Sequence, residues 1–222
     1  MGAFSMLSST EKIIDAGLSQ HLIQDVDLAN LFGGSPARRY GLVNKALKKQ
    51  EIIQLRRGLY VVAPKYQPVP WSVYVVANHL VPFSFVTAES ALSFHQWIPE
   101  RVSQVTSLAA FGRKRQVNNT LGRFVYRVAP LSSQDFLKGV ELILIHQQTV
   151  WMATPLRALI DYIDWRKVNS ADSEFLTTSL RIEIDHLNRI KKKEIEALLT
   201  VYRSHRVKQF LTYLLEKVGH HG

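Results

Sequence analysis

The chain has 222 residues, of which 46% are hydrophobic and 21% charged, and it contains no cysteine. This composition is that of one large or two small folded domains. It excludes a mainly disordered chain, a disulfide scaffold, thiolate metal sites and cysteine nucleophiles. The formal net charge is +10, from 28 Lys and Arg against 18 Asp and Glu, which favours a polyanionic partner.

The sequence contains no candidate membrane helix or signal peptide. No stretch approaches the ~18 consecutive apolar residues that a membrane helix needs. The first ten residues lack both the basic region and the long apolar region of a secretory signal. We therefore expect a cytoplasmic protein with no membrane partner.

The beginning of the chain shows three helical patterns. Residues 8–17 open with hydroxyl side chains and an acid, followed by apolar residues at helical spacing, which predicts a helix with a hydroxyl cap. Residues 25–32 predict a second helix, ended by Gly33-Gly34. The Ser-Pro pair that opens residues 35–49 predicts the cap and first position of a third helix.

A hairpin pattern follows these helices. Residues 52–62 predict two strands joined by the basic turn Arg56-Arg57-Gly58. Three helices followed by a small hairpin are the element order of a winged helix-turn-helix domain. We predict such a DNA-binding domain over residues 1–65, followed by a linker over residues 66–70 that contains two prolines.

The third predicted helix has one apolar and one cationic side on a helical projection. The apolar side comprises Tyr40, Leu42, Val43, Ala46 and Leu47, with Arg39 on the same side. The opposite side is cationic or neutral and carries no acid, whereas a solvated face normally mixes both signs. Such a face favours DNA phosphates opposite it. With the hairpin turn, the candidate DNA contacts are Ser35, Arg38, Arg39, Asn44, Lys45, Lys48, Lys49, Arg56 and Arg57.

These candidates have different expected roles. In helix-turn-helix proteins the start of the recognition helix meets base edges, so Ser35 and Arg38 are expected to set register and sequence preference. The lysines are expected to bind phosphates, and the turn arginines to reach the backbone or the minor groove. The alternative interpretation is a solvated basic face on a protein-interaction domain.

The rest of the chain, residues 71–222, predicts a mixed α/β domain that ends in helices. The overall fold class is therefore α+β. Helices are predicted over residues 71–81, 87–95 and 154–163, and extended segments over residues 83–86, 102–107, 123–128, 140–146 and 149–153. From residue 173 to residue 218 the pattern is helical, with three helices broken near Lys191 and Ser204.

Four stretches of the sequence resemble a known family. They are residues 55–64 (LRRGLYVVAP), 89–107 (ESALSFHQWIPERVSQVTS), 122–128 (GRFVYRV) and 153–163 (ATPLRALIDYI). In this order they are similar to the AbiEi-type antitoxins, also described as predicted transcriptional regulators of viral defence systems.

The resemblance implies a protein with two functions. Its N-terminal winged helix would bind operator DNA, often at inverted repeats, and repress its own operon. Its C-terminal domain would counteract a nucleotidyltransferase-like toxin without forming a stable complex with it. The resemblance supplies no catalytic residue, so we do not expect an enzyme. The sequence contains no glycine-rich loop that could hold a phosphate, so we expect no nucleotide or other cofactor. We expect either a monomer or a weak dimer.

A second basic cluster follows in the α/β domain and would be a further nucleic-acid contact. It comprises Arg113, Lys114, Arg115, Arg123 and Arg127.

Catalytic and metal-binding patterns are weak in this sequence. His95 follows two serines but no nucleophile elbow, and Glu183 with His186 lacks the second pair that a helical metal site needs. Asp135 and Glu141 precede an apolar strand, which leaves one alternative function: a nucleic-acid-processing enzyme of nuclease type that a winged helix targets to its substrate.

Overall fold

The computed structural model describes residues 6–128, 135–168 and 174–219, and the fold class of this part of the chain is α+β. The chain divides into two compact units. The first extends to Ser72 and includes Val117–Leu121, and the second comprises Val73–Gln116 and the chain from Gly122 onward.

The first unit contains three helices and a three-stranded antiparallel sheet. In chain order its elements are α1 (Ser8–Asp15), β1 (Ile23–Gln24), α2 (Asp25–Phe32), α3 (Pro36–Lys48), β2 (Ile52–Arg56) and β3 (Leu59–Val62). The three predicted helices and the hairpin are confirmed. The strand β1 was not predicted, because two residues are too short for a period-two pattern. It pairs with β3 and gives the sheet the order β1-β3-β2.

The two predicted helix caps in this unit have different outcomes. Ser35 is confirmed as the N-cap of α3, because its Oγ accepts a hydrogen bond from the backbone N–H of Arg38. The predicted hydroxyl cap of α1 is wrong, because the N-cap is Leu7, which offers no side-chain acceptor. The carboxylate of the buried Glu51 accepts from the Leu7 N–H instead.

The apolar core of the first unit lies between its helices and its sheet. Each helix and each strand contributes at least one buried side chain to it, so the unit has a core of its own. The buried members are Ile13, Ile23, Leu28, Val43, Ala46, Ile52, Tyr60 and Val62.

The second unit contains a six-stranded mixed sheet and six α-helices in its described residues. In chain order these are α4 (Val73–Leu80), β4 (Ser84–Val86), α5 (Ala88–Phe94), β5 (Gln104–Ala109), β6 (Arg115–Asn119), β7 (Gly122–Val128), β8 (Val140–Ile145), β9 (Gln148–Ala153), α6 (Pro155–Arg166), α7 (Ile184–Asn188), α8 (Lys192–Leu199) and α9 (His205–Gly219). The last residues of β6 are those that group with the first unit.

The six strands lie in the order β6-β7-β5-β4-β9-β8. The inner pairs β5–β7 and β4–β9 are parallel, whereas β4–β5 and β8–β9 are antiparallel. The prediction had no strand at β6, because its sequence (RQVNN) is polar and follows a basic turn. Alternate side chains of β7 point to opposite faces, so Phe124 and Tyr126 are fully buried while Arg123 is exposed.

A buried ion pair lies at the centre of the second unit. Arg157 and Asp161, one turn apart on α6, are 0% and 1% exposed. The Arg157 Nε lies 3.3 Å from both carboxylate oxygens of Asp161, which also accept hydrogen bonds from Tyr202 and Thr87. The Thr87 hydroxyl thus binds a side chain of α6, and Thr87, although it is the N-cap residue of α5, makes no side-chain hydrogen bond to that helix.

The three C-terminal helices are α7, α8 and α9, separated near Lys191 and Ser204 as predicted. The first of them is shorter than the pattern suggested. A π-helical turn at Phe175–Ser179 comes before it, and Arg181 has a φ of 52°, which interrupts a regular helix. The expected start at Ser173 lies outside the described residues.

Candidate nucleic-acid interface

The helix α3 places a set of polar and cationic side chains on its solvent side. Val43 and Ala46 are buried in the core of the first unit. Because an α-helix turns 100° per residue, the residues on the opposite side point outward together. The exposed set of candidates on α3 is Arg38, Asn44, Lys45 and Lys48.

Within the described residues, no ion pair neutralises Arg38, Lys45 or Lys48 on this face. The ion pairs found in the described residues all join side chains of the second unit. In the described part of the chain, no carboxylate therefore forms an ion pair with Arg38, Lys45 or Lys48. Lys49, the remaining candidate of this helix, is its exposed C-cap residue. Arg38, Lys45 and Lys48 are exposed cations without ion-pair partners among the described residues, and such a set on one helix face is a suitable surface for phosphates.

Arg39 has a different environment from the other candidates. It is half-buried, and its Nη1 donates a hydrogen bond of 2.7 Å to the carbonyl of Gly34. This contact ties the third helix to the turn before it. A DNA contact by Arg39 stays a prediction and would have to compete with this hydrogen bond.

Tyr40 was predicted on the apolar side of α3, and this prediction is wrong. Its side chain is 52% exposed, beside the cationic face rather than in the core. The projection puts Tyr40 near the boundary between the two sides, and a projection does not show how far the core extends. Tyr40 adds a phenolic hydroxyl and a flat ring to the candidate surface.

The sheet supplies a buried tyrosine, Tyr60, close to this surface. Burial raises the pKa of Tyr60 above its ordinary value, and the nearby Asp25 and Tyr40 raise it further. Hydrogen bonds with the Gly58 backbone and the Gln54 side chain act in the opposite direction. The Tyr60 phenol is therefore neutral at physiological pH.

The turn between β2 and β3 carries the other two candidates, Arg56 and Arg57. Both are exposed, and the register of the hairpin shifts between Gln54 and Arg56, which marks a bulge before the turn. Gly58 follows with a φ of 72°, a conformation that glycine adopts without strain. Two consecutive residues at the end of this short hairpin thus expose their guanidinium groups.

The second basic cluster lies on and before β7. Arg113 and Lys114 are exposed just before β6, and Arg115, also exposed, is the first residue of that strand. Arg123 Nη2 donates a 2.9 Å hydrogen bond to the Gln116 side chain, and the Arg127 guanidinium lies 5.0 Å from the centre of the Trp165 ring. Arg123 and Arg127 share one face of β7, but only Arg127 is packed against a helix.

Three of the residues considered for catalysis contact other groups of the protein. The His95 Nε2 lies 3.0 Å from the Ala153 carbonyl, and burial holds the pKa of His95 below its ordinary value. Asp135 forms an ion pair of 2.7 Å with Lys138. His186 stacks on the Trp97 ring. Within the described ranges, no group of three or more His, Asp or Glu side chains is placed to hold a metal ion.

No protein-family model matches the chain, and no curated protein sequence is significantly similar to it. The AbiEi resemblance therefore stays a prediction. Among the described residues, no helix is both long enough and apolar enough to cross a bilayer.

Proposed function

We propose that the first unit is a winged helix domain that binds double-stranded DNA, and that the protein is a transcriptional regulator. The observation that carries this proposal is the solvent face of α3, where exposed cations lie together without ion-pair partners among the described residues. Phosphate contacts supply most of the affinity of such proteins for DNA.

The order of elements supports the same proposal. A helix, a short strand, two helices and a hairpin make up the winged helix arrangement, and β1 is the strand that joins the hairpin into a three-stranded sheet. In this arrangement α3 is the recognition helix, which enters the major groove, and the turn with Arg56 and Arg57 is the wing. Both carry exposed cations.

Base reading is assigned to the first turn of α3. Arg38 is exposed at this end, and Ser35 fixes the helix start through its cap. An arginine there has the reach to pair with the O6 and N7 atoms of guanine. Arg38 therefore gives sequence preference, whereas Lys45 and Lys48 give affinity for any sequence.

The regulator acts, in this proposal, as the antitoxin of a two-gene operon. The support is the resemblance of four ordered stretches to AbiEi-type antitoxins, three of which lie in the second unit. The second unit would counteract a nucleotidyltransferase-like toxin. Co-expression with the adjacent gene tests this part, because growth arrest by that gene alone should be relieved by the full chain.

The experiment for DNA binding compares two fragments of equal length. The purified full chain is titrated with its own upstream DNA and with a shuffled fragment of the same composition. We expect tighter binding to the upstream DNA and an Arg38→Ala variant that loses about 1–3 kcal/mol of this preference. If Arg38→Ala loses the same affinity for both fragments, Arg38 does not read bases. If the wild type binds both fragments with equal affinity, the proposed regulator function is contradicted.

A further inference from the structure

A groove in the second unit is separate from the proposed DNA interface. It consists of two adjoining chambers of about 140 Å³ and about 530 Å³ between α5, β5 and α6. Four side chains, Glu89, Gln104, Tyr162 and Arg166, line both chambers. The larger chamber alone falls within the range of about 300–1,000 Å³ that is usual for small-molecule sites.

The smaller chamber contains a hydroxyl without a partner. Thr106 lines it and is only 3% exposed, yet its Oγ1 makes no hydrogen bond with any described residue. The backbone of Thr106 is fully used, because its N–H donates to the Ser90 hydroxyl and its carbonyl accepts from the Thr87 N–H. A buried hydroxyl left unpaired is destabilising, whereas a valine would have the same shape without that cost. The Thr106 hydroxyl is therefore a candidate donor to a ligand in the smaller chamber.

The charged side chains that line the smaller chamber indicate that its ligand is an anion. Arg166 forms an ion pair of 2.8 Å with Glu89, so these two charges cancel. Arg127 is packed on Trp165 and has no carboxylate partner among the described residues. One positive charge therefore remains in the chamber. Both guanidinium groups lie over aromatic rings, Arg127 over Trp165 and Arg166 over Tyr162, which restricts their motion.

The larger chamber has the lining of a site for a flat polar ring. Leu92, Ile98 and Leu180 contribute apolar surface and Tyr162 contributes an aromatic ring, whereas the rest of the lining is polar and includes Ser103 and the charged side chains of Glu89, Glu100, Arg101 and Arg166. Such a lining offers packing surface to the faces of a base and hydrogen-bonding groups to its edges.

We propose that this groove binds a nucleotide, with its monoester phosphate in the smaller chamber and its base in the larger one. The phosphate accepts hydrogen bonds from Arg127, Arg166 and the Thr106 hydroxyl. The base packs against the apolar side chains of the larger chamber, Leu92, Ile98 and Leu180. This chemistry is shared by a free nucleoside 5′-monophosphate and by the 5′-phosphorylated end of a single strand. The site is independent of the DNA-binding proposal, so either can fail alone.

The test is calorimetric titration of the full chain with the four ribonucleoside 5′-monophosphates. The parent nucleosides and inorganic phosphate serve as half-ligands. We expect saturable binding of at least one monophosphate, and binding of each half-ligand at least about ten-fold weaker. A short 5′-phosphorylated oligonucleotide distinguishes the two sources, because tighter binding of the oligonucleotide assigns the groove to strand ends. Absence of binding by all monophosphates and by the oligonucleotide would overturn the proposal.

Two variants test whether the nucleotide binds in the groove. We expect Arg127→Gln to weaken binding at least about ten-fold and Thr106→Val about five-fold. The matched controls Arg203→Gln and Thr149→Val change exposed residues outside the groove and should bind as the wild type does. Equal affinity in Arg127→Gln and Arg203→Gln would contradict the proposal.

The ligand-free stability of Thr106→Val separates a ligand hydroxyl from a structural one. A buried hydroxyl that forms its hydrogen bond only with a ligand destabilises the ligand-free protein. Thr106→Val should therefore raise the thermal midpoint of the ligand-free protein while it weakens nucleotide binding. A lower midpoint with unchanged binding would show that the hydroxyl supports the fold only, and the proposal would fail.

Discussion

The Thr10 hydroxyl donates a hydrogen bond of 2.6 Å to Glu51, which lies 41 residues further along the chain. The same carboxylate accepts from the backbone N–H of Leu7, the N-cap of α1. Glu51 comes directly before β2, so one buried acid joins the first helix to the start of the hairpin. The negative charge also faces the positive end of the dipole of α1.

Replacement of Glu51 should destabilise the first unit. Glu51→Ala removes the cap and leaves the fully buried Thr10 hydroxyl without this acceptor, which should lower the free energy of unfolding by about 2–4 kcal/mol. Urea unfolding measures the change. The control Glu11→Ala removes an exposed acid from the same helix and should cost less than about 1 kcal/mol. Equal effects of the two substitutions would contradict the capping role.

The wing turn depends on a glycine for two reasons. Gly58 has a φ of 72°, and a Cβ there would lie 2.9 Å from the Asp25 Oδ2. Gly58→Ala should therefore lower the free energy of unfolding by at least about 1 kcal/mol.

Gly41→Ala is the matched control for the wing glycine. Gly41 lies within α3 with no atom within 4 Å of the position of a Cβ, so alanine should stabilise the protein by about 0.5–1 kcal/mol. Chemical denaturation of both variants gives the comparison. A neutral Gly58→Ala would show that the wing moves away from Asp25 at little cost.

The buried ion pair of the second unit should be sensitive to the loss of one partner. Asp161→Asn keeps the side-chain volume but leaves the Arg157 charge uncompensated, which should cost about 3–5 kcal/mol. Glu196→Gln breaks the exposed pair with Lys192 and should cost less than about 1 kcal/mol. Guanidinium unfolding of the two variants checks the difference, and a small loss in Asp161→Asn would mean that Arg157 reaches solvent.

His95 should contribute to the pH dependence of stability. Burial holds the pKa of His95 below its ordinary value of 6.5, although the hydrogen bond to Ala153 and the charge of Glu141 act in the opposite direction. A lowered pKa in the folded state means that His95 contributes stability above pH 6.5, which is lost as the pH falls through the lower folded value.

The measurement for His95 is urea unfolding at several pH values between about pH 7 and about pH 5. His95→Gln keeps a donor for the Ala153 carbonyl and should flatten the decline seen in the wild type. His21→Gln changes an exposed histidine and should leave the decline unchanged. Parallel curves for the wild type and His95→Gln would contradict the assignment.

Local patterns predicted the elements of the first unit well. The second helix was predicted at its observed bounds, and the Ser35 cap was identified because a capping serine and a following proline lie next to each other. The strand β1 and the capping role of Glu51 could not be predicted, because both depend on partners distant in the sequence. Tyr40 was misplaced since a projection does not show where the core ends.

The two candidate sites also differ in how far the sequence alone predicts them. The cations of α3 and of the wing are visible in sequence as a charged run without acids. The groove of the second unit was not found, because Glu89, Thr106, Arg127 and Arg166 come from four different elements. The sequence identified Arg127 only as a member of the second basic cluster, not as part of a groove. The missing hydrogen bond of Thr106 is a property of the folded state alone.

The most direct test of the regulator account is the salt dependence of binding to the upstream DNA. The affinity of the wild type should fall steeply with salt, and the double variant Lys45→Gln/Lys48→Gln should have a log–log slope smaller by about 2, since each lost phosphate contact removes about one counterion. Lys12→Gln, an exposed change on α1, should keep the wild-type slope. If the double variant and Lys12→Gln have the same slope, the solvent face of α3 does not bind DNA and the account is wrong.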